Sequence, residues 1–158
     1  MALGIASRQH RYVITPGCQK IYLVQVRFDM DERQRALCAQ LVRVNSDQAA
    51  DWLMTKYPIE SADWGEALLL IPHRTWKRSD QKRLAKYYFR KLPFSGPRGY
   101  ESFAAIMSIK LLIGCVAEAI SAEASKVELL LYYLIPILNK LAKNDSSRQL
   151  VREFVAGL

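Results

Sequence analysis

The alternation of apolar and polar positions is clearest near the start of the chain. In residues 20–28, Tyr22, Val24, Val26 and Phe28 alternate with Leu23, Gln25 and Arg27, the period-two pattern of a strand with one buried face. Residues 12–15 (Tyr-Val-Ile-Thr) are similarly rich in β-branched and aromatic types, and Pro16-Gly17 between the two runs marks a turn. Together these predict an antiparallel pair over about 12–28. After a polar break at Asp29–Glu32 the pattern becomes ambiguous. Ala36, Leu37, Ala39 and Leu41 suit a helix, whereas Leu41-Val42-Arg43-Val44 suits a strand; a second strand over 36–44 is the reading taken. A continuous apolar run at 66–71, closed by Pro72, is read as a further buried strand.

Helical spacing dominates elsewhere. Asn45-Ser46-Asp47 offers cap chemistry for a short helix through Ala49, Trp52, Leu53 and Lys56, ending before Pro58. Ser79 can cap a helix over 79–92, stopped by Pro93. Phe94 to Gly99 reads as a loop. Further helices are predicted over 101–119, 125–143 and 146–156, the second opened by the Ser125-Lys-Val-Glu128 capping box and expected to kink or break at Pro136. Strands first and helices second predict an α+β fold. No internal repeat is visible. With 51% hydrophobic and 24% charged residues, a chain of this size suits a single globular domain over 1–158.

Charge changes the picture more than composition does. Nine of the 23 lysines and arginines lie between His73 and Arg98, against one acid, Asp80, so this segment carries the whole formal excess of +8. On a helical projection of 79–92, Leu84, Ala85, Tyr88 and Leu92 share one arc. Lys82, Arg83, Lys86, Arg90 and Lys91 fill the opposite arc with Tyr87 among them. Arg74, Lys77 and Arg78 precede this helix and Arg98 follows it. Like charges at i,i+4 (Lys82, Lys86, Arg90) repel one another, and that unrelieved repulsion points to an external anion. The plainer reading is a solvated helix face.

The partner-binding surface expected from the sequence is therefore Arg74, Lys77, Arg78, Lys82, Arg83, Lys86, Tyr87, Arg90, Lys91 and Arg98. An acidic protein would be met through the cations. A nucleic acid would be met through its phosphates, with Trp76, Tyr87 or Tyr88 for stacking. No zinc-finger spacing, aromatic-rich sheet motif or reading helix supports base recognition. The Ser95-Gly96-Pro97-Arg98-Gly99 loop could cradle a phosphate but lacks the Lys-Ser/Thr ending of a phosphate-binding loop, so a plain turn is preferred.

Catalytic chemistry finds little footing. The two histidines, His10 and His73, have no carboxylate or cysteine at ligand spacing. His73 beside Arg74 could act as a base on an anionic substrate, or simply end an element. Asp29, Asp31 and Glu32 could hold a hard cation, but acids of this density also mark turns. No catalytic residue, metal site or cofactor is expected. Three widely spaced cysteines, Cys18, Cys38 and Cys115, suit buried thiols in a reducing compartment. The N-terminus does not read as a secretory signal, and Leu129 to Asn139, the longest charge-free run of the apolar 102–142 region, is far short of the roughly 20 residues that span a bilayer. The expectation is a cytoplasmic, non-catalytic protein that binds an acidic protein, such as an immunity or antitoxin-type inhibitor binding a toxin domain. A nucleic-acid-binding protein is the alternative, and an enzyme acting on a phosphorylated substrate the third.

Overall fold

The computed structural model describes residues 30–120 and 124–158. Among these residues the protein is entirely helical: α1 (Glu32–Arg43), α2 (Ser46–Lys56), α3 (Glu66–Leu70), α4 (Arg78–Tyr88), α5 (Arg98–Ala104), α6 (Ile109–Ala119), α7 (Ala124–Leu141) and α8 (Asp145–Ala156). Short 3-10 turns over Ile71–His73 and Phe89–Lys91 extend α3 and α4. This corrects the α+β expectation for the described part of the chain. The strand pair expected at 12–28 lies outside the described residues.

The expected strand at 36–44 is the body of α1. Asp31 and Gln34 form a reciprocal cap: the Asp31 carboxylate accepts from the Gln34 amide at 2.7 Å, and the Gln34 side chain accepts from the Asp31 amide at 3.0 Å. This satisfies two of the free donors at the helix start. Gln34, Cys38 and Leu41 then bury one helical face, leaving Val42 and Val44 59% and 40% exposed. The strand preference of these valines is therefore overridden by the cap and by the three-to-four spacing of the buried positions.

The expected strand at 66–71 is α3 and its 3-10 extension. Ala67, Leu68, Leu70 and Ile71 are all buried, and the backbone closes helical turns here, the Ile71 amide donating to the Ala67 carbonyl. The predicted helix over 101–119 is two helices. Arg98 and Gly99, expected in a loop, already belong to α5, and Ser108 caps α6 by accepting from the Leu111 amide at 3.3 Å. Gly99 is required by packing, because a Cβ there would lie 2.5 Å from the Phe94 ring. α7 runs through Pro136 without a break.

The helices pack in two layers. In one, α1 contacts α3, α3 contacts α5 and α5 contacts α7; in the other, α2 contacts α4, α4 contacts α6 and α6 contacts α8. Contacts between α5 and α6 and between α7 and α8 tie the layers together. Each of α1 to α6 thus meets the helix two places on. The buried side chains form one cluster running from Cys38 to Phe154. In this arrangement α4 sits between α2 on one side and α6 on the other, and that position decides what its cations do.

Candidate functional site

The first turn of α4 is anchored by residues from α2. Ser46, at the start of α2, donates its hydroxyl to Asp80 at 2.6 Å and accepts from the Lys77 amide at 2.9 Å. Asp80 is only 2% exposed, and a buried carboxylate needs such donors. Ser79, expected to cap this helix, lies inside its first turn instead. Leu84, Ala85 and Tyr88 then fix the rotation of α4 by burial. The Tyr88 hydroxyl lies 3.1 Å from the carbonyls of Leu53 and Tyr57 at the end of α2. Burial pushes the Tyr88 phenol well above its ordinary range.

With the rotation set, the cations of α4 divide between its two neighbours. Arg83 points toward α2, pairing with Asp51 and with Asp80, the latter at 3.0 Å. Arg78, Lys82, Lys86 and Arg90 fall on the other side, at four-residue intervals, and line a groove of about 660 Å³ shared with α6. From α6 the groove receives Lys110, Leu111, Gly114, Cys115, Glu118 and Ala119. The 89–91 turn packs on α6, and Cys115, toward the far end of α6, feels the charges of Lys82 and Arg78 near the start of α4.

Five cations and one carboxylate, Glu118, line this groove. Among the described residues Arg78, Lys82, Lys86 and Lys110 make no ion pair, while Arg90 has Glu60 at 4.0 Å and lies 5.8 Å from the Tyr87 ring. The groove floor is apolar and low. Leu111 is buried, and a Cβ added at Gly114 would meet nothing within 4 Å. Burial, reinforced by Glu118, raises the Cys115 thiol above its ordinary pKa, despite the opposing pull of Lys82 and Arg78. At neutral pH it is a neutral, weakly polar part of the floor.

The other cations expected at the surface sit elsewhere. Arg74 donates to the carbonyls of Leu41 at 2.5 Å and Val44 at 3.2 Å, capping the end of α1, and its guanidinium lies 4.7 Å from the Trp76 ring. Lys77 is exposed at the N-cap of α4. Lys91, 5.7 Å from the Trp64 ring, and Arg98 line a separate cavity of about 450 Å³ with the 93–96 loop. The aromatic residues expected to stack on bases are occupied. Trp76 and Tyr88 are buried, and the half-buried Tyr87 hydroxyl accepts from the Ile59 amide at 3.2 Å.

Of the ten expected surface residues, the groove thus gathers Arg78, Lys82, Lys86 and Arg90. It adds Lys110 and the floor of α6, which carried no motif. Among the described residues no helix is long and apolar enough to cross a membrane, and no cluster of three His, Cys, Asp or Glu side chains could hold a metal ion. Compared with known proteins, the chain matches no protein-family model, no curated protein and no solved structure.

Proposed function

We propose that this protein binds an acidic protein partner in the groove between α4 and α6. The observation that carries the reading is the line of Arg78, Lys82, Lys86 and Arg90 facing Lys110 across a groove with a single carboxylate. Four cations at four-residue spacing repel along the helix, at a cost of a few tenths of a kcal/mol for each pair. An external polyanion would offset that cost, whereas the Arg83 side of the same helix already has its own acids. A potential built this way also raises the encounter rate with anionic partners.

Two features favour protein over nucleic acid as the partner. The groove floor is apolar, which suits side chains more than phosphates. None of Trp76, Tyr87 and Tyr88 lines the groove, so the stacking platforms that usually hold single strands are missing from it. A toxin domain bearing an acidic surface would be one partner of this description.

Fluorescence anisotropy with a labelled glutamate-rich 20-residue peptide, set against a 20-nucleotide single-stranded RNA, tests the proposal. The expected result is saturable peptide binding at 50 mM salt that weakens at 200 mM salt. Exchange of Lys82, Lys86 and Arg90 for Glu together should weaken it at least 30-fold. Absence of peptide binding at low salt, or equal or tighter binding of the RNA, would overturn the reading.

A further inference from the structure

Resting on the acidic-partner reading, we infer that the occupant of the groove is an amphipathic α-helix carrying a carboxylate at every fourth position, with small or apolar side chains along the neighbouring stripe. The spacing of the cations is the first reason. Residues four apart on a helix rise about 6 Å, so the line from Arg78 to Arg90 extends roughly 18 Å. A helix with acids at i, i+4, i+8 and i+12 repeats at the same interval and keeps them on one slowly turning face. Three to four turns cover the whole line.

The floor is the second reason. Leu111, Gly114, Cys115 and Ala119 make an apolar strip beside the cations, and Gly114 leaves open space at its middle. A helix that sets acids against α4 would lay its adjacent stripe on this strip, the helix-in-groove mode of recognition. An extended segment has a similar repeat of about 6.6–6.8 Å between side chains on one face, so spacing does not separate the two. Backbone chemistry does. Both walls of the groove are helices whose main-chain groups are bonded internally, so an extended occupant would find no ladder partners for its own amides and carbonyls. A helix satisfies those groups within itself.

Three peptides of equal length and charge separate this inference from the reading beneath it. The first has Glu at every fourth position with Leu and Ala beside it. The second has the same sequence except for a central Pro-Gly that breaks the helix. The third is a flexible chain of Glu and Gly. The helical peptide should bind at least ten-fold tighter than the other two and gain helical circular dichroism on binding. It should also slow alkylation of Cys115, read by peptide mass spectrometry.

The Gly114→Leu variant should weaken the helical peptide at least ten-fold and change binding of the flexible chain less than two-fold. Gly114 has open space around it, so the variant should fold, which its thermal melt checks. Gly114→Ala, a smaller change, should fall between the two. Equal affinity for all three peptides would overturn the helical occupant and leave the acidic-partner reading intact. Unchanged affinity of the helical peptide for Gly114→Leu would overturn it too. If none of the peptides binds, both fall.

Discussion

Lys82 and Arg83 are neighbours on α4 with the same charge, yet substituting them should move stability in opposite directions. Lys82 stands between Arg78 and Lys86, one turn away on either side, and makes no ion pair among the described residues. Each like-charge pair at i,i+4 costs about 0.2–0.5 kcal/mol, and each opposite pair contributes a similar amount. Exchanging Lys82 for Glu converts two repulsions into two attractions, a gain of roughly 1–2 kcal/mol at low salt. For a chain of this length that corresponds to a rise in Tm of about 2–6 °C. Arg83 has the opposite role. Its guanidinium joins Asp51 on α2 to the buried Asp80, and Arg83→Ala leaves that carboxylate with Ser46 as its remaining side-chain donor. A loss of about 1–3 kcal/mol is expected. Thermal melts at 20 mM and 300 mM salt check both, with the Lys82→Glu gain shrinking at the higher salt. A fall in Tm for Lys82→Glu comparable with that of Arg83→Ala would refute the division of α4 into a structural side and a binding side.

Two further predictions concern the scaffold. Burial pushes the Tyr100 phenol up to about 12 from its usual 10, so the folded state holds this proton more tightly than the unfolded chain. Stability from this group is fully present below pH 10 and is lost as pH rises toward 12, a loss of about 2–3 kcal/mol. Denaturant titrations from pH 8 to pH 12 should show the decline, and Tyr100→Phe should make it shallower by about that amount, leaving the part contributed by the buried Tyr88 and Tyr57 phenols. Arg74→Ala removes the Nη1 group that donates to the Leu41 and Val44 carbonyls, and the contact with Trp76. It should cost about 1–3 kcal/mol in denaturant titrations while leaving acidic-peptide affinity within two-fold.

The basic helix was readable in the sequence because its apolar arc, Leu84, Ala85 and Tyr88, repeats at helical spacing and is the buried face. α2 was readable for the same reason, with Asn45 before it and Tyr57-Pro58 after it. α1 was misread because Leu41-Val42-Arg43-Val44 carries strand preference, while the signal that decides it, the Asp31–Gln34 cap, lies ten residues upstream. α3 was misread because a short, fully apolar run has no periodicity to separate strand from helix. At the site, the projection of α4 placed its cations outward but gave no means of telling one side from the other. Arg83 and Lys82 differ only in which helix lies beside them, and that depends on contacts between segments over 30 residues apart. Lys110 and Gly114 were invisible as site residues for the same reason. Gly114 inside an apolar helical run was the one local hint, since glycine costs helix stability unless something needs the space.

Backbone amide chemical-shift mapping reads directly whether binding is localised to the α4–α6 groove. On titration with the glutamate-rich peptide, the largest shifts are expected at Arg78, Lys82, Lys86, Lys110, Gly114 and Cys115, with Arg83 and Arg74 nearly still. Shifts centred instead on Lys91 and Arg98, or spread evenly over every exposed cation, would contradict it.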